Sequence, residues 1–144
     1  MNTMAIAAES VALVRSTHPE YLTKQNLITY NCLEELRLGR GNRDHLCNLI
    51  AAHYICSSFA ERLNIGTEHK PLLEEAAQAL RDLTTRAAHT GNHTMRAAEL
   101  EALRSLAELQ DAIFNVATVR EVEVARSEAM KALRRNETKG STVV

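Results

Sequence analysis

His53 and Cys56 stand three residues apart, and on a helix their side chains share a face; His45 and Cys47 lie about two turns upstream. Imidazole and thiolate are zinc ligands, but zinc needs three or four such groups converging at about 2.0–2.3 Å. The chain has six histidines and three cysteines. It has no Cys-x-x-Cys pair, no His-Glu-x-x-His and no Glu-x-x-His repeated on two helices. His89 and His93 are four apart but straddle Gly91. No metal and no cofactor is expected, and Cys47 and Cys56 read as small core hydrophobes.

A second chemistry is anion binding. Arg37, Arg40 and Arg43 surround Gly39 and Gly41, just ahead of a helix start at Asn42. Unpaired N–H groups at a helix N-terminus, with guanidinium forks beside them, can hold an anion. No Lys-Ser or Lys-Thr follows, so this is not a Walker loop. The plain reading of the same residues is a structural turn, with Arg37 near a helix C-terminus where cations are favoured.

Catalysis finds less support, and no catalytic residue is assigned. The acidic residues fall in pairs such as Glu34-Glu35 and Glu74-Glu75 that belong to solvated helix faces. No serine sits in a Gly-x-Ser-x-Gly elbow. A dyad of Cys32 with a histidine from another helix is the one arrangement that spacing leaves open.

Composition narrows the rest. A chain of 144 residues is one domain's length. With 17 basic and 18 acidic residues the formal charge is −1, which argues against both a histone-like DNA binder and an acidic DNA mimic. Aromatic residues are 3% with no Trp, too few for base-stacking platforms. A helix-turn-helix across Arg37–Arg43 would need a second helix polar enough to lie in a groove, and the one that follows is too apolar. Nucleic acid is therefore not an expected partner. Three cysteines, an odd number, suit reduced thiols in the cytoplasm. No apolar run nears the ~20 residues of a membrane span. The weakly signal-like start around Ala5–Ala8 has no preceding Lys or Arg and is interrupted by Glu9, so no cleaved leader is expected.

The elements that must position these residues are helices. Ala, Leu, Glu and Arg dominate, with five Gly and two Pro to interrupt them. Residues 1–16 form a short or frayed helix. Thr17, Pro19 and Glu20 start the next, which runs to about Leu38 with Leu22, Thr29, Leu33 and Leu36 on one face. Gly39 and Gly41 stop it by positive φ. A helix from Asn42 to about Leu63 is apolar on most sides and must be central. Gly66 closes it, and Thr67 or Glu68 opens a third with Pro71 in its first turn. There Leu73, Ala76, Leu80, Leu83 and Ala87 make a narrow seam. From Thr94, which caps it, a last helix meets no breaker for roughly forty residues, about 60 Å. It either bends near Asn115–Thr118 or lays its second half on something outside the chain. Residues 136–144 read as a disordered tail. The fold class is all-α, a helical bundle of about four main helices over residues 17–135.

The string Arg37-Leu38-Gly39-Arg40-Gly41-Asn42-Arg43-Asp44-His45, followed by Leu49-Ile50-Ala51-Ala52 and Leu63-Asn64-Ile65-Gly66-Thr67-Glu68, resembles a group of small helical proteins found on bacterial phages and plasmids. Thr90-Gly91-Asn92, with Glu99, Leu100 and Leu103 after it, fits the same group. His45 and His93 depart from the pattern, which has an aromatic at each. The shared residues are turns and caps, so the resemblance implies an architecture and no activity. It implies a mobile-element protein that acts by binding a host or phage protein.

The expectation is a non-enzymatic helical interaction protein, a homodimer that also binds another protein as a regulatory or counter-defence factor. Its interface residues are Leu80, Leu83, Val119, Val122 and Val124. The first alternative is an anion or small-ligand module built on Arg37, Arg40, Asn42 and Arg43; the second is a weak DNA-binding regulator.

Overall fold

The computed structural model describes residues 19–62 and 66–138. The expected helix over 1–16, the Thr17 cap, Leu63 to Ile65 and the end of the tail lie outside them. Five helices make up the described chain: α1 (Pro19–Arg37), α2 (Arg43–Arg62), α3 (Gly66–Thr90), α4 (Ala97–Phe114) and α5 (Val119–Thr138). The fold is all-α. Among the described residues no helix is long and apolar enough to cross a membrane.

α2 is the central element, packed against all four of the others. Its sequence dictates this: Leu46, Leu49, Ile50, Ala51, Ala52, Ile55, Cys56, Phe59 and Ala60 are buried, a set spanning most of the helix circumference. The α3 seam closes on it, with Ala76, Leu80 and Leu83 fully buried. The predicted face of α1 is buried as well, from Leu22 through Thr29 and Leu33 to Leu36.

The α1–α2 turn shows two different needs for glycine. Gly39 has φ +75° and occupies the C′ position of a Schellman closure. Arg40 N–H donates to Glu35 O at 2.9 Å, and Gly39 N–H to Leu36 O at 3.3 Å. Gly41 does not have positive φ, contrary to the expectation from sequence. It is glycine because a Cβ there would lie 2.2 Å from Leu36 Cδ2 and 3.0 Å from Leu36 Cα.

Three boundaries differ from the sequence reading. Gly66 is the first residue of α3 rather than the residue that closes α2, so Pro71 sits inside the helix instead of in its first turn. α4 starts at Ala97, not after Thr94. The Thr94 N–H and hydroxyl both turn back to Asn92 Oδ1, at 2.9 and 2.6 Å, and the first-turn acceptor is Glu99, which takes the Arg96 N–H at 2.9 Å. Lastly, α5 continues to Thr138, so residues 136–138 are helical rather than part of a tail.

The forty-residue helix is broken at Asn115–Thr118 into α4 and α5. Thr118 N–H donates to Glu121 Oε1 at 2.9 Å and Glu121 N–H to Thr118 Oγ1 at 3.1 Å, a reciprocal capping box. Beyond it, α5 turns back onto its own chain. Val122, Ala125, Ala129 and Leu133 form its buried strip. Phe114, the last residue of α4, is buried, while Val116, two residues beyond it, is 62% exposed.

Polar groups set the register between helices. Gln110 donates through Nε2 to Thr29 Oγ1 at 2.9 Å and to Asn26 Oδ1 at 3.1 Å, and Asn26 Nδ2 donates to Asp111 Oδ1 at 3.0 Å. Arg126 on α5 donates to Gln25 Oε1 on α1. Among the described residues no buried side-chain N or O lacks a partner, as the cost of about 1–3 kcal/mol for each unmet group requires.

Candidate functional site

The residues chosen from the sequence for anion binding are already engaged. Arg37 pairs with Glu34, and Arg40 with both oxygens of Glu35 at 2.9 and 3.1 Å. Hydrogen bonds from these arginines hold both carboxyls below the usual range. Asn42 uses Oδ1 to accept the His45 N–H at 3.1 Å, while His45 Nδ1 accepts the Asn42 N–H at 3.1 Å. The helix start is closed by its own side chains. Arg43, exposed at the first residue of α2, has a contact of its own. The anion module therefore loses the open helix terminus it needs. His45 serves as the third-position partner of a capping box, which explains a histidine at that site.

The interface residues fare differently from one another. Leu80, Leu83 and Val122 have no exposed surface. In the single chain their apolar area is spent on the core, which corrects their assignment to an exposed docking face. Val119 is half-buried against the same core, and Val124 is 44% exposed.

Cys32 and Cys56 are buried thiols held in the protonated form. Burial pushes Cys32 up to about 11 and Cys56 up to about 12, and a reactive cysteine needs the reverse. His53 faces away from Cys56: Cys56 is fully buried, whereas His53 reaches α3. Among the described residues no three His, Cys, Asp or Glu side chains cluster as metal ligands.

The sequence reading missed a trough along α2. Two cavities, of about 560 and 270 Å³, meet at His53 and Ser57. One lies towards α3, between Ala60 and Glu61 of α2 and Lys70, Leu73, Glu74 and Ala77 of α3. The other lies towards α5, between Ile50 and Tyr54 of α2 and Ala129, Ala132, Leu133 and Asn136 of α5. α2 is the floor, and α3 and α5 are the walls. Half of the lining residues are aliphatic; the α3 side adds the charges of Glu61, Lys70 and Glu74, and His53, Tyr54, Ser57 and Asn136 supply polar groups.

His53 sets the polarity of that middle. Its Nε2 lies 2.9 Å from Leu73 O. A carbonyl only accepts, so Nε2 carries the hydrogen and Nδ1 is the acceptor of the neutral ring. Burial lowers the His53 pKa; the Leu73 carbonyl partly opposes the shift, and Arg81 adds to it. The lowered pKa favours the neutral ring. Ser57 stands one turn further on, and Tyr54 is 38% exposed beside it. The middle of the trough thus offers an imidazole acceptor, a hydroxyl and a phenol beside apolar side chains, a combination found in ligand sites. The signal in the sequence was the i, i+4 pair of small polar residues, His53 and Ser57, interrupting an otherwise apolar helix.

Comparison with known proteins adds no relative: no family model matches the chain, and no curated protein or solved structure matches it either.

Proposed function

We propose that this chain is a non-enzymatic helical interaction protein that receives an amphipathic helix of a partner protein in the α2 trough. The observation that carries the reading is the pair of cavities meeting at His53 and Ser57. Among the described residues, a floor helix flanked by two wall helices leaves a position that one further helix would fill, and helix-in-groove recognition uses such a site through apolar anchors at i, i+3 or i+4 and i+7. The anchors would enter the two cavities, and the charges of Glu61, Lys70 and Glu74 would meet polar flanks. A regulatory or counter-defence role in a mobile element rests on the sequence resemblance alone.

The test is a photo-crosslinking side chain at Ser57, with the same group at Arg43 as control. The expected product is a covalent adduct at position 57 whose mapped peptide is helical and amphipathic. That peptide, synthesised, should bind the purified chain saturably and lose at least tenfold in affinity to Ala132→Glu, since about 1.4 kcal/mol separates each decade. Equal labelling at both positions, or a small molecule in place of a peptide, would overturn the reading.

A further inference from the structure

We infer that the α4–α5 corner is an exchange hinge, and that the chain forms a dimer in which each copy's α5 occupies the other copy's α5 site. The inference does not depend on what enters the trough.

The corner is built from residues that do not require it. Asn115-Val116-Ala117-Thr118 contains no Gly and no Pro. Asn115 keeps right-handed helical angles, φ −72° and ψ −18°. The positive-φ glycines of the described chain are Gly39 and Gly91, both elsewhere. The helical ladder persists into the corner, with Asn115 N–H donating to Asp111 O at 3.1 Å and Ala117 N–H to Ile113 O at 2.9 Å, and it lapses only beyond Ala117. Straightening would give Thr118 to Glu121 helical N–H bonds in place of the Thr118–Glu121 capping box, so the two forms exchange one set of hydrogen bonds for another.

The docking surface is the same in both forms. Val122, Ala125, Ala129 and Leu133 would bury against α2, and Arg126 would reach Gln25, whether the helix arrives from its own chain or from a second copy. Only the hinge differs. It leaves Val116 62% exposed in the closed form. In the exchanged form two straightened helices cross near this residue, where each Val116 can cover the other. Exchange of an identical element between copies is a low-cost route to a dimer for this reason. Since α5 is one wall of the trough, Leu133 and Asn136 of a second copy would then complete the site of the first.

Two variants separate the forms. In Val119→Pro the proline stands at the first position of α5, where a missing N–H is tolerated and the extended backbone it imposes on Thr118 suits a cap. In a straight helix the same proline removes the bond to Asn115 O and clashes with it. Thr118→Ala acts the other way, weakening the cap and favouring exchange by roughly fivefold per copy. The full chain, refolded at high concentration, is followed by light scattering. The expected result is twice 16.0 kDa for the wild type, a larger dimer fraction for Thr118→Ala and a monomer for Val119→Pro. In a Gln25→Cys/Arg126→Cys chain, whose two positions meet only at their side-chain tips, a short bis-maleimide should join two chains in the dimer. A dimer that persists in folded Val119→Pro, an intrachain crosslink in the dimer, or a wild type monomeric throughout would overturn the inference. If Val119→Pro does not fold by circular dichroism, the crosslink decides alone. A Gln25→Cys/Arg126→Cys chain that still binds the trough peptide but crosslinks only within one chain would sink exchange while leaving the proposed function standing.

Discussion

The α3–α4 corner and the α4–α5 corner both redirect the chain in a few residues, but they hold it by different means. At α3–α4, Gly91 has φ +71°, a conformation that side chains disfavour. Across it, Arg86 donates to both Glu99 oxygens and to Thr94 O at 2.9 Å. Glu99 is 6% exposed. Burial alone would push its carboxyl up, but the bond from Arg86, the Arg96 N–H and the charges of both arginines outweigh it and hold the carboxyl below the usual range. At α4–α5 the turn exposes Val116 but buries Ala117, and it is closed by the Val116 and Ala117 N–H bonds to Ile113 O at 3.0 and 2.9 Å and by one capping box. The first corner is fixed by backbone angle and a buried ion pair. The second is one of two conformations its residues accept.

The largest effect that would sharpen this contrast is at Glu99. Glu99→Ala leaves Arg86 largely enclosed and without its carboxylate partner, and should cost about 3 kcal/mol of unfolding free energy in urea titration. The sign with pH follows from the lowered carboxyl. Its stabilisation is present above the ordinary carboxylate value and lost as pH falls through its folded value, so wild type and Glu99→Gln should converge on acidification. A constant gap down to low pH would remove the ion pair from the account.

Next in size is Gly41→Ala, at about 2 kcal/mol, because the added methyl must displace buried Leu36. Thermal unfolding reads it directly. A smaller pair compares the two corners themselves. Gly91→Ala has open space for its methyl, so only the left-handed angle opposes it, at about 1 kcal/mol. Asn115→Ala already sits at helical angles and should stay within about 0.5 kcal/mol of wild type. Equal costs for both would break the comparison. Smallest is a pH effect away from either corner. The lowered His53 pKa means that stability drains away as pH falls below about 6.5, the unfolded value, towards the folded one. His53→Gln should flatten that slope in a melting series while leaving the Glu99 effect untouched.

How much of this was legible in the sequence depends on whether the cause is local. Gly39 could be read because a Schellman closure needs only its own few residues. Gly41 could be placed but not explained, since its neighbour Leu36 approaches only once the turn has formed. The seam through Leu80 and Leu83 announced that α3 packs, but periodicity does not name the partner, and the chain's own core took the surface assigned to an interface. The break after Phe114 has no Gly or Pro to mark it. Its one local sign was Thr118-x-x-Glu121, a capping box inside a run of good helix formers. The trough is not local at all. His53 and Ser57 look like ordinary interruptions of an apolar helix until α3 and α5 rise on either side of them.

The Gln110–Thr29 bond spans 81 residues, and that separation bears on the order of folding. Thr29 is 5% exposed, yet its hydroxyl finds Gln110 only when α4 arrives. Gln25 waits longer, for Arg126, 101 residues on. On the ribosome, α1 therefore leaves the exit tunnel as an amphipathic helix whose polar partners have not yet been made. Its face stays provisional until α4 is translated. Loops that long are closed late because their entropy must be met before the contact rewards it. Nascent chains stalled before residue 110 should leave α1 open to protease, and chains extended past α4 should protect it.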